Sequence, residues 1–403
     1  MLDESLLDAP EALARADRRG LLRGAAEAGA RVRTATRHAT EAGIADLKPD
    51  GRPRAVLVAG SGTAADGVAD LIGALAGASA PVIHLAPSGV APAPGALRWT
   101  LPGWAGSLDL LLVLTVDGAE PGLALLAEQA YRRGCTVAAV APPRSPLTEA
   151  VESSHGLVVP LAEAPYELYE DTPAASPGAL WALFTPLLAL LDRCGLVEAP
   201  PETLAKVADR LDRTAERCGP AIATYSNPAK TLAAELADSL PLIWTEGSGA
   251  APVGRRFAAV LAELAGRPAL AAELPGALPS HGALLLGGLA AGADPDDFFR
   301  DRVEEQQALR ARVLLLRDSP AGGLTAAPAA RAFALGHDTP VSELAPADSF
   351  EPIEPLATET APGPEDGTGL ESVAELLAVT DFAAVYLALA TPGNPAGPGT
   401  PAA

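Results

Sequence analysis

The feature that most constrains this chain is a short, fully aliphatic run that recurs with an amphipathic helical stretch behind it. Arg54-Ala-Val-Leu-Val-Ala-Gly60 reads as a strand buried on both faces, because nothing in it alternates with polar residues. Residues 63–75 follow with Val68, Leu71, Ile72 and Leu75 at helical spacing. Strands are expected at 81–85, 109–115, 136–140 and 156–160, with a helix over 121–133. An apolar helix over 178–193 and an amphipathic one over 200–218 then bridge to a second round. There the pattern restarts: helix 228–238, strand 241–245, a Gly-rich turn at 246–249 and helix 253–264. Strands at 268–273, 312–316 and 340–344 follow, and a closing helix spans 371–389. Strands alternating with helices at this interval build parallel sheets flanked by helices. The expected fold class is α/β, in two halves of similar build at 30–195 and 215–390. Ahead of them lies an N-terminal helical segment at 1–29.

Composition sharpens this. With 403 residues the chain is long enough for two domains, and 49% hydrophobic residues exclude disorder for its bulk. Aromatics are only 4%, so the cores are built from Ala, Leu and Val. Two stretches depart from the pattern. Residues 345–369 are rich in Pro, Glu, Asp and Thr and read as an acidic Pro-rich loop, and 391–403 read as a disordered tail. The net charge of −21, without a basic patch, speaks against nucleic acid. No apolar run reaches the roughly 20 residues of a membrane span, and the acidic start Met1-Leu-Asp-Glu4 does not read as a secretory leader. A cytoplasmic protein is the default expectation. Cys135, Cys194 and Cys218 have no CxxC spacing and read as free thiols, and five scattered histidines give no metal site.

Chemistry concentrates at two strand ends. Gly60-Ser61-Gly62-Thr63 lies at a strand-to-helix junction, where helix N-terminal N–H groups cradle anions; packing of a tight turn explains the glycines equally well. The spacing GxGxxxxG is not the dinucleotide fingerprint, and His84-Leu85-Ala86 offers no acid to a ribose, so a nicotinamide cofactor is not expected. Thr115, at the end of the third strand, offers a hydroxyl to a phosphate, while Asp117 repels one.

Taken together, two α/β halves, a Gly-Ser/Thr turn after the first strand and a hydroxyl loop after the third resemble the sugar isomerase (SIS) domain. More closely, the chain resembles the bacterial and archaeal bifunctional phosphoglucose/phosphomannose isomerases. The family motif GMGGSAIGGD appears as Ala59-Gly-Ser-Gly-Thr-Ala-Ala-Asp-Gly-Val68. The motif SxSGNTEET appears as Thr115-Val-Asp-Gly-Ala-Glu-Pro-Gly-Leu123, which keeps Gly118 and loses most hydroxyls. The pattern RWxxxLNENAKxPA becomes Arg256-Phe-Ala-Ala-Val-Leu-Ala-Glu-Leu-Ala-Gly-Arg-Pro-Ala269, and LPxxNHN becomes Leu274-Pro-Gly-Ala-Leu-Pro-Ser-His-Gly282, where His281 reads as a loop residue after a Pro-rich turn. The Lys that follows the family's closing helix has no counterpart.

The resemblance implies two SIS-like domains, a homodimer, no cofactor and a sugar phosphate as ligand; the closing helix 371–389, apolar almost all round, also argues for a dimer. Gly60, Ser61, Gly62, Thr63, Thr115 and Gly118 would bind it. Glu263 is implied as the carboxylate that moves a proton between C1 and C2, and His281 as the ring-opening imidazole. Arg256 is implied beside the developing oxyanion. Two readings remain: an aldose–ketose isomerase linking glucose 6-phosphate or mannose 6-phosphate to fructose 6-phosphate, or a catalytically silent SIS protein that binds a sugar phosphate or a partner enzyme in a regulatory role.

Overall fold

A computed structural model describes residues 2–89, 95–162, 175–286, 310–318, 325–346 and 369–391. In chain order the elements are α1 (Glu4–Leu7), α2 (Pro10–Ala16), α3 (Leu21–Ala26), α4 (Ala28–Glu41), β1 (Ala55–Gly60), α5 (Thr63–Ala76), β2 (Val82–Leu85), β3 (Asp109–Leu114) and α6 (Pro121–Arg132). Next come β4 (Thr136–Ala141), α7 (Pro146–Ser153), β5 (Leu157–Pro160), α8 (Pro177–Arg193), α9 (Pro201–Cys218) and α10 (Pro228–Leu236). The last are β6 (Ser239–Glu246), α11 (Ala250–Ala265), β7 (Leu270–Glu273), α12 (Ala277–Leu286), β8 (Arg310–Arg317), α13 (Ala327–Leu335), β9 (Val341–Leu344) and α14 (Gly369–Ala390). The chain divides into two compact units, Arg19–Glu216 and Met1–Arg18 with Arg217–Ala403. The first eighteen residues thus cluster with the second half: Asp3 N–H donates to Ala390 O, and Thr224 N–H to Asp8 Oδ1. Most of the acidic loop and of the tail, 347–368 and 392–403, lies outside the described residues.

Each unit holds one all-parallel sheet. In the Arg19–Glu216 unit the order is β2-β1-β3-β4-β5, with Val58 opposite Leu112 and Leu112 opposite Ala138. Both central strands, Ala-Val-Leu-Val-Ala-Gly and Asp-Leu-Leu-Leu-Val-Leu, are buried at every position, as helices on both faces require. In the other unit the order is β7-β6-β8-β9, with Ile243 opposite Leu314. Both orders reverse direction beside their first strand, so each sheet has a switch point: β1/β3 in one, β6/β8 in the other. The α/β fold of two parallel sheets is the one expected.

Three helices escaped the sequence reading: α7, α12 and α13. All three carry Pro in their first turn, where an N–H has no intrahelical acceptor to lose, and there Pro is compatible with a helix.

The closing helix corrects two expectations. Among the described residues α14 is one helix long and apolar enough to cross a membrane, with a mean hydropathy of 1.8, yet that stretch is 100% buried inside the protein. Its 22 residues are long enough to span a membrane although no uninterrupted apolar run in the sequence is, because Glu371, Glu375 and Asp381 break that run. It packs against α10 and α11, so its apolar surface is accounted for within the chain and no longer argues for a dimer. Its polar groups are served in place. Glu375 takes a hydrogen bond from Arg217 Nη1 at 2.9 Å, and Tyr386 Oη donates to Cys218 O at 2.6 Å. Burial pushes the Cys218 thiol up to about 12, so it stays protonated at neutral pH.

A test follows from this burial. Phe382→Ala is expected to cost about 3–5 kcal/mol in urea unfolding, since Phe382 is fully enclosed. Leu335→Ala, at a residue 56% exposed at the end of α13, is expected to cost less than about 0.5 kcal/mol.

Candidate functional site

At the β1/β3 switch point the chain turns from Gly60 into α5. Gly60 is there for space: a Cβ would meet Ala65 Cβ at 2.6 Å and Leu114 O at 2.8 Å. Packing therefore accounts for Gly60 by itself. Gly62 has φ +86° and is the N-cap of α5, to which it brings no side-chain acceptor. Ser61, Gly62 and Thr63 are half-buried. A helix N-terminus of fourteen residues' length, capped by glycine and placed at the carboxyl edge of a parallel sheet, is suited to an anion.

The neighbouring loop after β3 is closed on itself. The Thr115 hydroxyl donates to Asp117 Oδ1 at 2.9 Å and accepts from Gly118 N–H at 2.9 Å. Asp117 Oδ1 also takes Ala119 N–H at 3.0 Å. Gly118, with φ +66°, lies directly against Ser145, which caps α7. Thr115 is buried and its proton is spent on Asp117, so the hydroxyl expected to face a phosphate holds the loop instead. Asp117 is exposed, and it brings a negative charge to the strand end.

The second switch point is organised differently. β6 ends on Glu246, and Gly247-Ser-Gly249 leads from it into α11. Here a carboxylate occupies the helix end: Asp318 Oδ2, one residue past β8, accepts Gly249 N–H at 2.6 Å and Ala250 N–H at 3.2 Å. Glu246 accepts from Arg317 Nε at 3.0 Å and from the Thr325 hydroxyl at 2.6 Å. Arg317 Nη1 also reaches Glu343 at 3.0 Å, and Arg331 closes the row on Glu343. The Thr325, Ala326 and Arg317 bonds hold the Glu246 carboxyl below its ordinary value although burial pushes it up.

The three residues carried by the resemblance fall into different settings. Arg256 sits on the buried face of α11, with its side chain 1% exposed, and forms an ion pair with Asp381 of α14. Its Nε and Nη2 groups find no hydrogen-bond partner among the described residues. Burial pushes the Asp381 carboxyl up, against the pull of the Arg256 guanidinium. Glu263 is exposed on the last turn of α11, some 20 Å by helical rise from Ala250. His281, read from the sequence as a residue after a Pro-rich turn, lies instead inside α12 and is buried. Trp244 Nε1–H donates to His281 Nδ1 at 3.0 Å, which leaves Nε2 as the nitrogen carrying the hydrogen of a neutral ring. Among the described residues no group of three His, Cys, Asp or Glu side chains is placed to hold a metal.

The residues missed in the sequence are Asp318, Asp381, Glu246 and Trp244. Only Asp318 left a trace: an acid directly after an aliphatic strand that runs beside a Gly-rich turn.

Two outcomes test these contacts. Asp381→Ala leaves Arg256 buried without a counter-charge and is expected to cost about 3–5 kcal/mol, whereas Arg256→Met with Asp381→Leu is expected to be neutral or stabilising in chemical denaturation. Burial holds His281 below its ordinary pKa, so the unfolded chain binds its proton first as pH falls. The stability it contributes is whole above about pH 6.5 and is lost as pH falls through the lower folded value. His281→Gln is expected to flatten the fall in stability below that pH, and an unchanged slope contradicts the assignment.

Comparison with known proteins agrees with this architecture. Residues 225–345 match the family model for the bacterial phospho-glucose isomerase C-terminal SIS domain. A search of curated proteins finds no match in sequence. Among solved structures, a protein classed as a phosphosugar isomerase from Silicibacter pomeroyi DSS-3 superposes with a TM-score of 0.56 at 16% identity, covering 91% of this chain and 97% of that one. Another so classed, from Clostridium difficile 630, gives 0.56 at 11% identity, with 91% and 92% covered. The C-terminal domain of glucosamine-fructose-6-phosphate aminotransferase from Francisella tularensis gives 0.50 at 11%, with 91% and 95% covered. At such identities the likeness is one of fold. The chain is thus built of two parallel α/β halves, and residues 225–345 in the second of them match the bacterial phospho-glucose isomerase C-terminal SIS domain.

Proposed function

We propose that the chain binds a phosphorylated hexose by its phosphate at Gly60–Thr63 and acts in the cytoplasm as an aldose–ketose isomerase. It would interconvert glucose 6-phosphate or mannose 6-phosphate with fructose 6-phosphate. The observation that carries this reading is the α5 N-terminus, capped by Gly62 without a side chain, at the switch point of a parallel sheet. In the reaction an acid–base group opens the sugar ring. A carboxylate then takes the C2 proton of the aldose, giving an enediol, and returns a proton to C1. Glu263, an exposed carboxylate, is assigned that transfer, and His281 Nε2 the ring opening. Arg256, implied beside the oxyanion, is given a structural role instead, since its pairing with Asp381 suits it to hold α11 against α14. A homodimer is proposed on the family resemblance alone.

A second reading, a silent phosphosugar-binding protein, is favoured by one observation: the Thr115–Asp117 bond withdraws the loop's hydroxyl and presents a carboxylate in its place. A coupled isomerase assay beside a thermal-shift screen of the three phosphosugars separates the two. Turnover supports the isomerase; a thermal shift without turnover supports the silent protein. Asp117→Ser removes a charge and releases Thr115. It is expected to tighten phosphosugar binding about fivefold, on the order of 1 kcal/mol. Glu263→Gln is expected to abolish turnover while leaving that affinity nearly intact. If Asp117→Ser leaves affinity unchanged and no phosphosugar shifts the melting temperature, the phosphate reading of Gly60–Thr63 is wrong.

A further inference from the structure

The two switch points are built alike from the backbone up: a central parallel strand, a glycine turn, and a long helix whose N-terminus faces the end of the neighbouring strand. They differ in what stands at that helix end. In the first half the cap residue is Gly62, and the strand-end loop folds back on itself. In the second half Asp318 reaches from the end of β8 to the first turn of α11 and takes two backbone N–H groups with one oxygen.

We infer that Asp318 is a built-in occupant of the second half's anion cradle, so that this half takes no phosphosugar and the chain binds one per copy. The carboxylate stands where an external anion would gain its contacts, and three further observations fix it there. Gly247 has φ +111°, and a Cβ on it would collide with Asp318 Oδ1. A Cβ on Gly249 would meet Val373 Cγ2 of α14 at 2.3 Å and Asp318 Oδ2 at 2.9 Å, so Gly247 leaves room for Asp318, and Gly249 for Asp318 and Val373 together. The rest of the strand edge is also taken: Glu246 and Glu343 are tied to Arg317, and Glu343 again to Arg331. Those two guanidinium groups are thereby neutralised by carboxylates of the same edge. A dianion entering would have to displace Asp318 and would face the carboxylate of Glu246, which ends the strand directly before the turn. Helix α11 carries Glu263, so the same contact anchors the helix that bears the proposed proton carrier.

The count of one ligand per chain rests on the proposed function; the occupancy by Asp318 does not, and the experiment addresses the occupancy. The full chain, Asp318→Ala and Asp318→Asn are melted with and without sodium acetate, at constant ionic strength. Acetate supplies the carboxylate that the alanine variant lacks. The alanine variant is expected to melt roughly 2–8 °C below the parent, the scale of a lost helix cap. At about 100 mM, acetate is expected to recover a large part of that drop in the alanine variant and to leave the parent almost unmoved. Asn keeps an oxygen able to accept both N–H groups, so its drop is expected to be clearly smaller than that of Ala. Equal acetate increments in parent and alanine variant, an equal drop for Asn and Ala, or no drop at all would each overturn the inference. Failure of glucose 6-phosphate to bind the parent chain, with acetate rescue intact, would instead count against the proposed function.

Discussion

The structure depends on how the N–H groups at the start of two helices are met. A parallel sheet sends all its strand ends to one edge, and each following helix starts there with unsatisfied donors. In the second half the demand is met from within, by Asp318 on Gly249 and Ala250. In the first half the cap residue is a glycine, and the adjoining Thr115–Gly118 loop satisfies its own groups instead of those of α5. Under the proposed function, this asymmetry between two otherwise similar halves assigns binding to one and support to the other.

Support is also the theme of the helix layer in the second unit. α14 is covered along almost its whole length, and two of its buried carboxylates are each met by a cation on another helix: Glu375 by Arg217 and Asp381 by Arg256. Such pairs add little net stability over apolar side chains of similar size, yet breaking one partner is costly, so they fix which helices meet and in what register. Arg256 therefore ties α11, and with it Glu263, to the core of its unit.

Much of this was legible in the sequence. The aliphatic strands announced themselves because a parallel strand buried on both faces has no polar positions to blur it, and β1, β3 and β8 fell within a residue or two of their expected ends. The glycine turns at 60–62 and 246–249 were legible as turns. What they hold was not, since the partner of α11's N-terminus lies 69 residues further on, brought there by strand pairing. The same holds for Arg256, whose partner is 125 residues away: a motif match placed it in the chemistry, and helix packing placed it in the core. His281 was misplaced for a local reason. Pro275 and Pro279 suggested a loop, but a proline in the first turn removes no helical hydrogen bond, and α12 continues past it. Thr115 shows a further limit: a hydroxyl at a strand end reads as a ligand until an acid two residues on claims its proton.

The proposed phosphate site places an anion at the start of α5 and none at the start of α11. Hydrogen exchange followed by mass spectrometry, with and without glucose 6-phosphate, tests it most directly, because the groups in question are backbone amides. The expected result is slowed exchange in peptides covering Gly60–Asp66 and unchanged exchange in those covering Glu246–Ala250. Slowing at Glu246–Ala250 with none at Gly60–Asp66 would contradict it.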